Sequence, residues 1–462
     1  MRVALSVGGF FPETYGGGQT YVLRVAQGLV ARGHGVTVVT SAAQASTAAQ
    51  AVRPTTYQGI QVLSVSVPRV GWVDGQVGTG AELVHAFREV LATIGPQVVH
   101  LNGHKVALAR VCKQLDLPYV VTAHHPGIVC PAGTLLDDRG NICELKAGPD
   151  VCVRCCSIQR VGGTVRGQLL ASVPDPVSRL AVSWADTSGK VGFVARALTF
   201  PLAVRASLKG KAELQQATPL WVAPSRAIAN YLVLNGVDRS RIAVVPHGIL
   251  PFEKTTLQPF SGRPVRFGYF GTLNRPKGIE VLLEAFGALP GEVRAELHIF
   301  GVAQNLWERE AFGQWLAGCH RKGDVRLHGR VGPEELSRAY AGVDVLVLPS
   351  IYLEVFGLVV LEAFSAGRPV IVTNSGGPEE LVREGVDGLI VRRNDPVALA
   401  EALMGLASDP ARIVRLAEGI RPVRTIEEHL DQLLPIYERA IREAPRSPSL
   451  VPGGAEPQAT GS

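Results

Sequence analysis

Short apolar runs alternate with longer amphipathic segments through the first half of the chain. An apolar run bounded by polar or glycine positions predicts a buried strand, and a period near 3.6 between runs predicts a helix. Strands are predicted at residues 3–7, 36–40, 59–65, 97–101, 119–123, 221–223 and 242–245. Strands that alternate with helices in this way predict a doubly wound parallel sheet.

A second cycle of the same pattern begins after residues 246–248, the sequence Pro-His-Gly. Its predicted strands lie at residues 265–270, 296–300, 325–328, 343–348, 370–373 and 389–391. The chain is therefore predicted to be an α/β protein with two Rossmann-like domains, residues 1–245 and 246–424.

Two segments interrupt this pattern. Residues 126–217 are too long for a simple crossover, so an insertion in the first domain is predicted. Residues 425–441 have apolar positions at helical spacing and predict an amphipathic helix. From residue 444 to the end at 462, Pro, Gly and Ser dominate and predict a disordered tail.

Composition and charge exclude several classes of protein. The first seven residues form a predicted strand and have no signal-peptide character, and no apolar run is long enough to cross a membrane, so we expect a cytoplasmic protein. Residues 151–211 contain nine basic and two acidic residues, while the whole chain has a net charge of only +6. A local basic block indicates an anionic surface or acceptor more than nucleic acid.

The stretch from Glu354 to Pro378 carries the strongest chemical signal. It follows the predicted strand 343–348, and the carboxyl ends of parallel strands are where open α/β sheets bind ligands. Free N–H groups of Gly357, Leu358 and Val359 at a helix start suit an anion such as a diphosphate. Glu354 would repel that phosphate unless it faces hydroxyl groups, so a nucleotide sugar is predicted.

Glu354, Glu362 and the following Gly-Gly-Pro-Glu-Glu turn (residues 376–380) resemble family 4 glycosyltransferases of the GT-B fold. The resemblance implies two Rossmann-like domains that face each other across a cleft, with the final helix 425–441 crossing back to the first domain. It also implies that Glu354 contacts the donor sugar, that Glu362 holds the ribose hydroxyls, and that the backbone of residues 356–359, beginning at Phe356, binds the distal phosphate.

Two first-domain motifs are predicted to form the opposite wall. Gly16 and Gly17 open the first helix, and such a turn gives close backbone approach and exposed N–H donors. They resemble the family's Gly-Gly loop, which faces the acceptor and the donor phosphate, although Gln19 stands where the family usually has Glu. His124 directly follows a predicted strand and is expected at the cleft rim, where it would bond the transferring sugar or orient the acceptor. The next residue departs from the family, which has Asp where this chain has His125.

The loop 270–278 corresponds to the family's phosphate clamp. Lys277 matches the family's lysine, but Thr272 replaces the expected arginine. Two alternatives are open for the missing arginine: Arg275 supplies the charge from within the loop, or Thr272 itself bonds a phosphate oxygen. A diphosphate leaving group needs positive charge, so we expect at least Lys277 to bind it.

Four cysteines lie close together in the sequence, at Cys130, Cys143, Cys152 and Cys155. A Cys-x-x-Cys pair with two further thiols suits a structural zinc ion, with an iron-sulfur cluster or unliganded thiols as alternatives. No catalytic metal is expected. The stretch from Arg179 to Lys211 alternates apolar runs with single cations, and it either lies on an anionic membrane or packs as helices with a basic outer face.

Together these features predict a retaining glycosyltransferase that moves a sugar from a nucleoside diphosphate sugar to a hydroxyl acceptor. The acceptor is either free or lipid-linked. If the basic segment binds lipid, the protein is expected at the inner face of the membrane. A sugar-nucleotide epimerase of the same architecture is one alternative. A noncatalytic, membrane-associated scaffold is another, and the departures at Thr272, His125 and Leu250 favour it.

Overall fold

A computed structural model describes residues 1–41, 52–66, 81–188 and 193–444. The predicted tail from residue 445 onward lies outside the described residues, as does part of the predicted basic stretch, residues 189–192. Two separate sheets confirm the predicted α/β class.

The first sheet has eight strands in the order β3-β4-β2-β1-β5-β6-β7-β8. All neighbours are parallel except β3 and β4, which form an antiparallel hairpin at the edge. The strands are β1 Arg2–Val7, β2 Gly35–Ser41, β3 Val52–Tyr57, β4 Ile60–Val65, β5 Val98–Leu101, β6 Tyr119–Thr122, β7 Leu220–Ala223 and β8 Ile242–Val244. Strand β3 was not predicted, because its exposed residues include Pro54 and do not alternate between apolar and polar.

The second sheet has six parallel strands in the order β11-β10-β9-β12-β13-β14. They are β9 Val265–Phe270, β10 Ala295–Phe300, β11 Val325–Gly329, β12 Val345–Leu348, β13 Val370–Thr373 and β14 Gly388–Val391. In this order β9 lies beside β12, so the chain leaves the two strands in opposite lateral directions. The cleft at such a switch point is where doubly wound sheets bind ligands.

Helices cover both faces of each sheet. In the first half they are α1 Gly17–Ala31, α2 Ala81–Ile94, α3 Lys105–Gln114, α4 Pro149–Val161, α5 Thr164–Ala171, α6 Asp175–Ser188, α7 Phe193–Ala217 and α8 Arg226–Leu234. In the second half they are α9 Ile279–Gly287, α10 Leu306–Gly318, α11 Leu336–Ala341, α12 Leu358–Ser365, α13 Pro396–Ser408, α14 Pro410–Glu418 and α15 Ile426–Glu443. Within the described residues, none of these helices is both long and apolar enough to span a bilayer.

Each sheet has its own cores, because alternate residues of a strand point to opposite faces. On the first sheet, Ala4 packs in one core and Leu5 in another, and the second core is completed by Leu430, Leu433 and Tyr437 of α15. The last helix therefore packs on the first sheet although it follows the second in sequence.

The insertion contains helices α4 to α7. Val153 and Cys156 of α4 pack against Val204 and Leu208 of α7, so these helices form a small core of their own on the first domain. Of the two alternatives for the basic segment, the structure therefore has packed helices. Val165, Leu169 and Leu180 on the outer helices remain 69–72% exposed, and membrane contact stays a hypothesis.

Candidate active site

A cavity of about 390 Å³ lies between the carboxyl ends of the two sheets. The first domain contributes the loop after β1 and the end of β6, and the second contributes the loops after β9 and β12. The predicted residues that line it are Gly16, Gly17, His124, Thr272, Lys277, Glu354, Phe356, Gly357, Leu358, Val359 and Glu362. The fold therefore brings together side chains from both halves of the chain.

Lys277 and Glu354 form an ion pair in this cavity, with 2.7 Å between Lys277 Nζ and Glu354 Oε2. Ser350 Oγ donates to the same oxygen at 3.0 Å, and the Tyr352 hydroxyl donates to Oε1 at 3.2 Å. Burial alone would raise the pKa of Glu354, but Lys277 and these donors outweigh burial and lower it. The same pairing outweighs burial at Lys277 and raises its pKa, so both groups are charged at neutral pH.

A tight turn at Gly278 and a backbone hydrogen bond place this pair. Gly278 adopts a left-handed conformation with φ of 73°, and a Cβ atom there would lie 1.8 Å from the carbonyl oxygen of Pro349. The backbone N–H of Ile351 also donates to the carbonyl of Pro276 at 3.0 Å. Because only glycine permits this approach, the loop after β9 rests directly on the end of β12.

Helix α12 points its amino end at the cavity. Its N-cap is Gly357, which has φ of 90° and no side chain to cap the helix. First-turn N–H groups lack partners inside their own helix, and the partial positive charge of that end favours an anion. The first turn, with Leu358 and Val359, therefore offers donors to a ligand in the cavity.

Glu362 lies one turn deeper and is only 9% exposed. The Tyr340 hydroxyl donates to Glu362 Oε2 at 2.9 Å. Burial raises the pKa of Glu362, and the Tyr340 hydrogen bond and the charge of Arg24 partly offset that increase. One carboxylate oxygen remains to accept hydrogen bonds from a ligand's hydroxyl groups.

On the first-domain wall, Gly17 faces α12 closely enough that a Cβ atom would lie 3.8 Å from Leu358 Cδ1. His124 Nε2 lies 2.6 Å from Asn102 Oδ1. Because a carboxamide oxygen can only accept, Nε2 carries the proton and Nδ1 keeps its lone pair. Burial, followed by the neighbouring His247 and Lys105, holds the pKa of His124 well below its usual range, so the ring is neutral.

The two halves of the chain match known families. Residues 15–141 match the model described as Glycosyltransferase Family 4, and residues 264–409 match the model described as Glycosyl transferases group 1. Each domain of the chain thus matches a glycosyltransferase family. The match covers the Gly16–Gly17 loop and His124 in the first domain, and Lys277, Glu354 and Glu362 in the second.

Curated relatives of this chain include a D-inositol 3-phosphate glycosyltransferase from Xylanimonas cellulosilytica, 33% identical over 51% of this chain. Another is the O-antigen chain mannosyltransferase B of Escherichia coli, 36% identical over 33% of this chain. The chain spans 60% and 39% of the lengths of these two relatives.

Among solved structures, the chain resembles Anabaena Alr3699/HepE in complex with UDP-glucose, with a TM-score of 0.66 and 15% identity. The alignment covers 95% of this chain and all of the other. At this identity the likeness establishes the fold alone, and it confirms the predicted GT-B arrangement of two parallel-sheet domains.

The structure does not bring Arg275 to the cavity. Its side chain is 74% exposed and its Nε lies 3.5 Å from Glu280 Oε2. The prediction that Arg275 compensates for the missing arginine is wrong, because the short helical turn Arg275–Lys277 directs Lys277 inward and Arg275 outward. Thr272 does line the cavity.

The structure does not support the metal site predicted at the four cysteines. Cys152 and Cys155 lie on the continuous helix α4, where Gln159 Nε2 approaches Cys155 Sγ at 3.2 Å. Cys130 and Cys143 pack against the first-sheet core, near these two thiols. Among the described residues, no group of three or more Cys, His, Asp or Glu is placed to hold a metal ion.

Sequence reasoning missed Tyr15, His247 and Arg330, which also line the cavity. The Arg330 guanidinium lies over the Tyr15 ring at 5.1 Å and so joins the two walls. The ring of His247, in the joint between the domains, lies 5.2 Å from that of His124 and 4.9 Å from that of Phe356. Arg330 directly follows β11, so the strand-end rule could have found it. His247 carries no such signal.

Proposed function

We propose that the protein transfers a glycosyl group from a nucleoside diphosphate sugar to a hydroxyl acceptor, with retention at the anomeric carbon. The observation that carries this proposal is the Lys277–Glu354 pair beside the first turn of α12, facing Gly17 and His124 across one cavity. Cation, amides and carboxylates within one site suit a ligand with both phosphates and hydroxyl groups.

The second domain would hold the donor. The first-turn N–H groups of α12 and the Lys277 ammonium would bind the diphosphate, and Arg330 would supply a second positive charge in place of the family's arginine. Glu362, fixed by Tyr340, would accept hydrogen bonds from the ribose hydroxyls. The pair with Lys277 keeps Glu354 ionised, so Glu354 would accept from the hydroxyl groups of the sugar.

Transfer breaks the bond between the anomeric carbon and the phosphate oxygen and forms one to the acceptor oxygen on the same face. Lys277 and the α12 amides would stabilise the departing diphosphate, which takes up the acceptor's proton. His124 would accept a hydrogen bond through Nδ1 because Asn102 fixes its Nε2–H. A neutral imidazole in this position orients hydroxyl groups without repelling the cationic Lys277.

The donor is identified first, by thermal shift against UDP, GDP, ADP and dTDP sugars. A ligand at 100 times its dissociation constant raises the free energy of unfolding by about 2.7 kcal/mol. Transfer is then measured with that donor and a panel of hydroxyl acceptors that begins with D-inositol 3-phosphate, the compound in the first relative's name. The product's anomeric configuration, measured by NMR coupling constants, reports retention.

Lys277→Gln and Glu354→Gln should each lower kcat by about 10²–10³, the range for loss of one charge-stabilising group. Lys254→Gln, at an exposed position away from the cavity, is the matched control and should leave transfer unchanged. Conversion of the donor to an isomeric nucleotide sugar without transfer would identify an epimerase instead. Unchanged product formation in both variants would overturn the site assignment.

A further inference from the structure

A second cavity, of about 510 Å³, lies on the first domain between α7 and residues 146–149. It shares no lining residue with the central cavity. Four of its lining side chains are cationic, Lys146, Arg205, Lys209 and Lys211, and none of the described residues that line it is acidic. We refer to it as the basic pocket.

Among the described residues, most of this charge has no ion-pair partner. Arg205 is paired with Asp175 at 2.8 Å. Lys146, Lys209 and Lys211 form no hydrogen bond or ion pair with another described residue. Lys211 is mostly buried, and burial lowers its pKa. A buried ammonium without a counterion is costly, so an anion in the basic pocket would stabilise the protein.

Neutral donors converge on the same space. The side-chain amides of Gln215, Gln216 and Asn235 line the basic pocket. So does Gly148, the N-cap of the thirteen-residue helix α4, which has no side chain to cap the helix. The N–H of Ala147 donates to Asn235 Oδ1 at 2.9 Å and fixes this segment against the first domain. Helix α4 begins at Pro149, which has no N–H group, and it carries Asp150 in its first turn, so the lysines and side-chain amides rather than the helix end form the anion site.

We propose that the basic pocket binds the phosphate group of a phosphate ester, separately from the donor in the central cavity. Several cations around one cavity favour a dianionic phosphate over a single carboxylate. None of the described lining residues is aromatic, and nucleotide or single-stranded nucleic acid sites ordinarily stack bases on aromatic rings. The ester is therefore a small phosphorylated molecule or a phospholipid headgroup.

The first test uses the wild-type chain, so it does not depend on a variant folding. Lysine acetylation is followed by mass spectrometry with and without glycerol 3-phosphate as the probe. Protection is expected at Lys146, Lys209 and Lys211, with Lys254 and Lys322 unchanged as exposed controls on the second domain. Protection confined to Lys277 would place the ester in the central cavity and overturn the proposal.

The second test compares Lys209→Gln/Lys211→Gln with the charge-matched Lys254→Gln/Lys322→Gln. Affinity for glycerol 3-phosphate, measured by calorimetry, should fall about tenfold or more in the first pair, as for loss of a hydrogen bond to a charged group, and stay unchanged in the second. The affinity for glycerol 3-phosphate should also be unchanged in Lys277→Gln. Equal affinity in the Lys209/Lys211 pair and the wild type would refute the proposal.

Vesicles distinguish the two sources of the phosphate. Phosphatidylcholine vesicles with and without phosphatidic acid are added to the same acetylation experiment. Protection of Lys146, Lys209 and Lys211 by phosphatidic acid vesicles identifies a lipid headgroup, and protection by glycerol 3-phosphate alone identifies a free ester. Protection of these lysines by neither probe would exclude the site. Because no donor is present, the outcome is independent of glycosyl transfer.

Discussion

Lys277 and Glu354 are 77 positions apart in the sequence, yet the charge of each neutralises the charge of the other. The sequence predicted a role for each one separately, from its motif. Their mutual bond follows only from the adjacency of β9 and β12, which places the ends of the two strands side by side. Arg275, two residues before Lys277, points away from the cavity because the two residues lie on opposite sides of one short helical turn.

Replacement of a missing cation is also a residue-scale effect. The sequence contains Thr272 where the family has arginine, and the loop itself offered only Arg275 as a substitute. The structure instead places Arg330, 58 positions after Thr272, at the cavity wall. Arg330 has no fixed spacing from Thr272, and its place directly after β11 is the one sequence signal that marks it as a candidate.

Lys105 gives the pH-dependent prediction. Its Nζ donates to the carbonyl of Asn102, and burial, followed by the charge of Lys211, lowers its pKa from 10.5 to about 8. Between these values the unfolded chain binds the proton and the folded protein releases it, so this group's contribution to stability rises with pH from about 8 to 10.5.

Lys105→Met should therefore be more stable than the wild type at pH 7, and this advantage should shrink as the pH rises toward 10. Chemical denaturation at several pH values measures the difference. Lys113→Met, at an exposed position on the same helix α3, should show no such trend. An advantage of the same size at every pH would contradict the shifted pKa.

At the scale of elements, α15 joins the two domains. His429 Nδ1 lies 2.8 Å from the carbonyl of Pro246, so Nδ1 donates and Nε2 accepts from the Tyr21 hydroxyl at 2.9 Å. One side chain thus ties the last helix to both the joint and α1. Below it, His100 Nδ1 lies 2.6 Å from the Tyr437 hydroxyl, and His100 Nε2 lies 2.5 Å from Thr122 Oγ1.

Gly248 fixes the contact between the joint and the start of α15. A Cβ atom there would lie 2.0 Å from the carbonyl oxygen of Thr425, and backbone cannot yield as a flexible side chain can. Gly248→Ala should lower the free energy of unfolding by about 1–3 kcal/mol, the range for overpacking.

Denaturant titration of Gly248→Ala measures this loss, and Gly291→Ala is its control because no atom lies within 4 Å of a Cβ there. The control should match the wild type. If both variants had the stability of the wild type, the joint would not be held against α15 in the way described.

At the scale of the whole molecule, two sheets with largely separate cores face one cavity. The second is fastened by Asp344, which is fully buried and accepts from Arg263 at 2.6 Å and from Arg266 at 3.0 Å. Burial would raise the pKa of Asp344, but the two arginines outweigh burial and lower it, so the carboxylate is charged at neutral pH.

Asp344→Asn should destabilise the second sheet by about 3 kcal/mol, because it leaves two cations without their buried partner. Hydrogen exchange should show faster exchange in β9 and β12, while β1 and β5 of the first sheet are unaffected. The control is Asp324→Asn, an exposed partner of Arg321. Equal acceleration in both sheets would mean that the two domains unfold as one unit.

The sequence by itself determined every predicted strand, the two-domain α/β order and the motif residues that line the central cavity. These follow from local apolar periodicity and from motifs in which each residue is close to its neighbours in the chain. Only the tertiary structure decided the ion pair of Lys277 with Glu354, the outward direction of Arg275 and the basic pocket. These depend on which strand ends and helices become neighbours, and that is set by packing across distances for which the sequence carries no local signal.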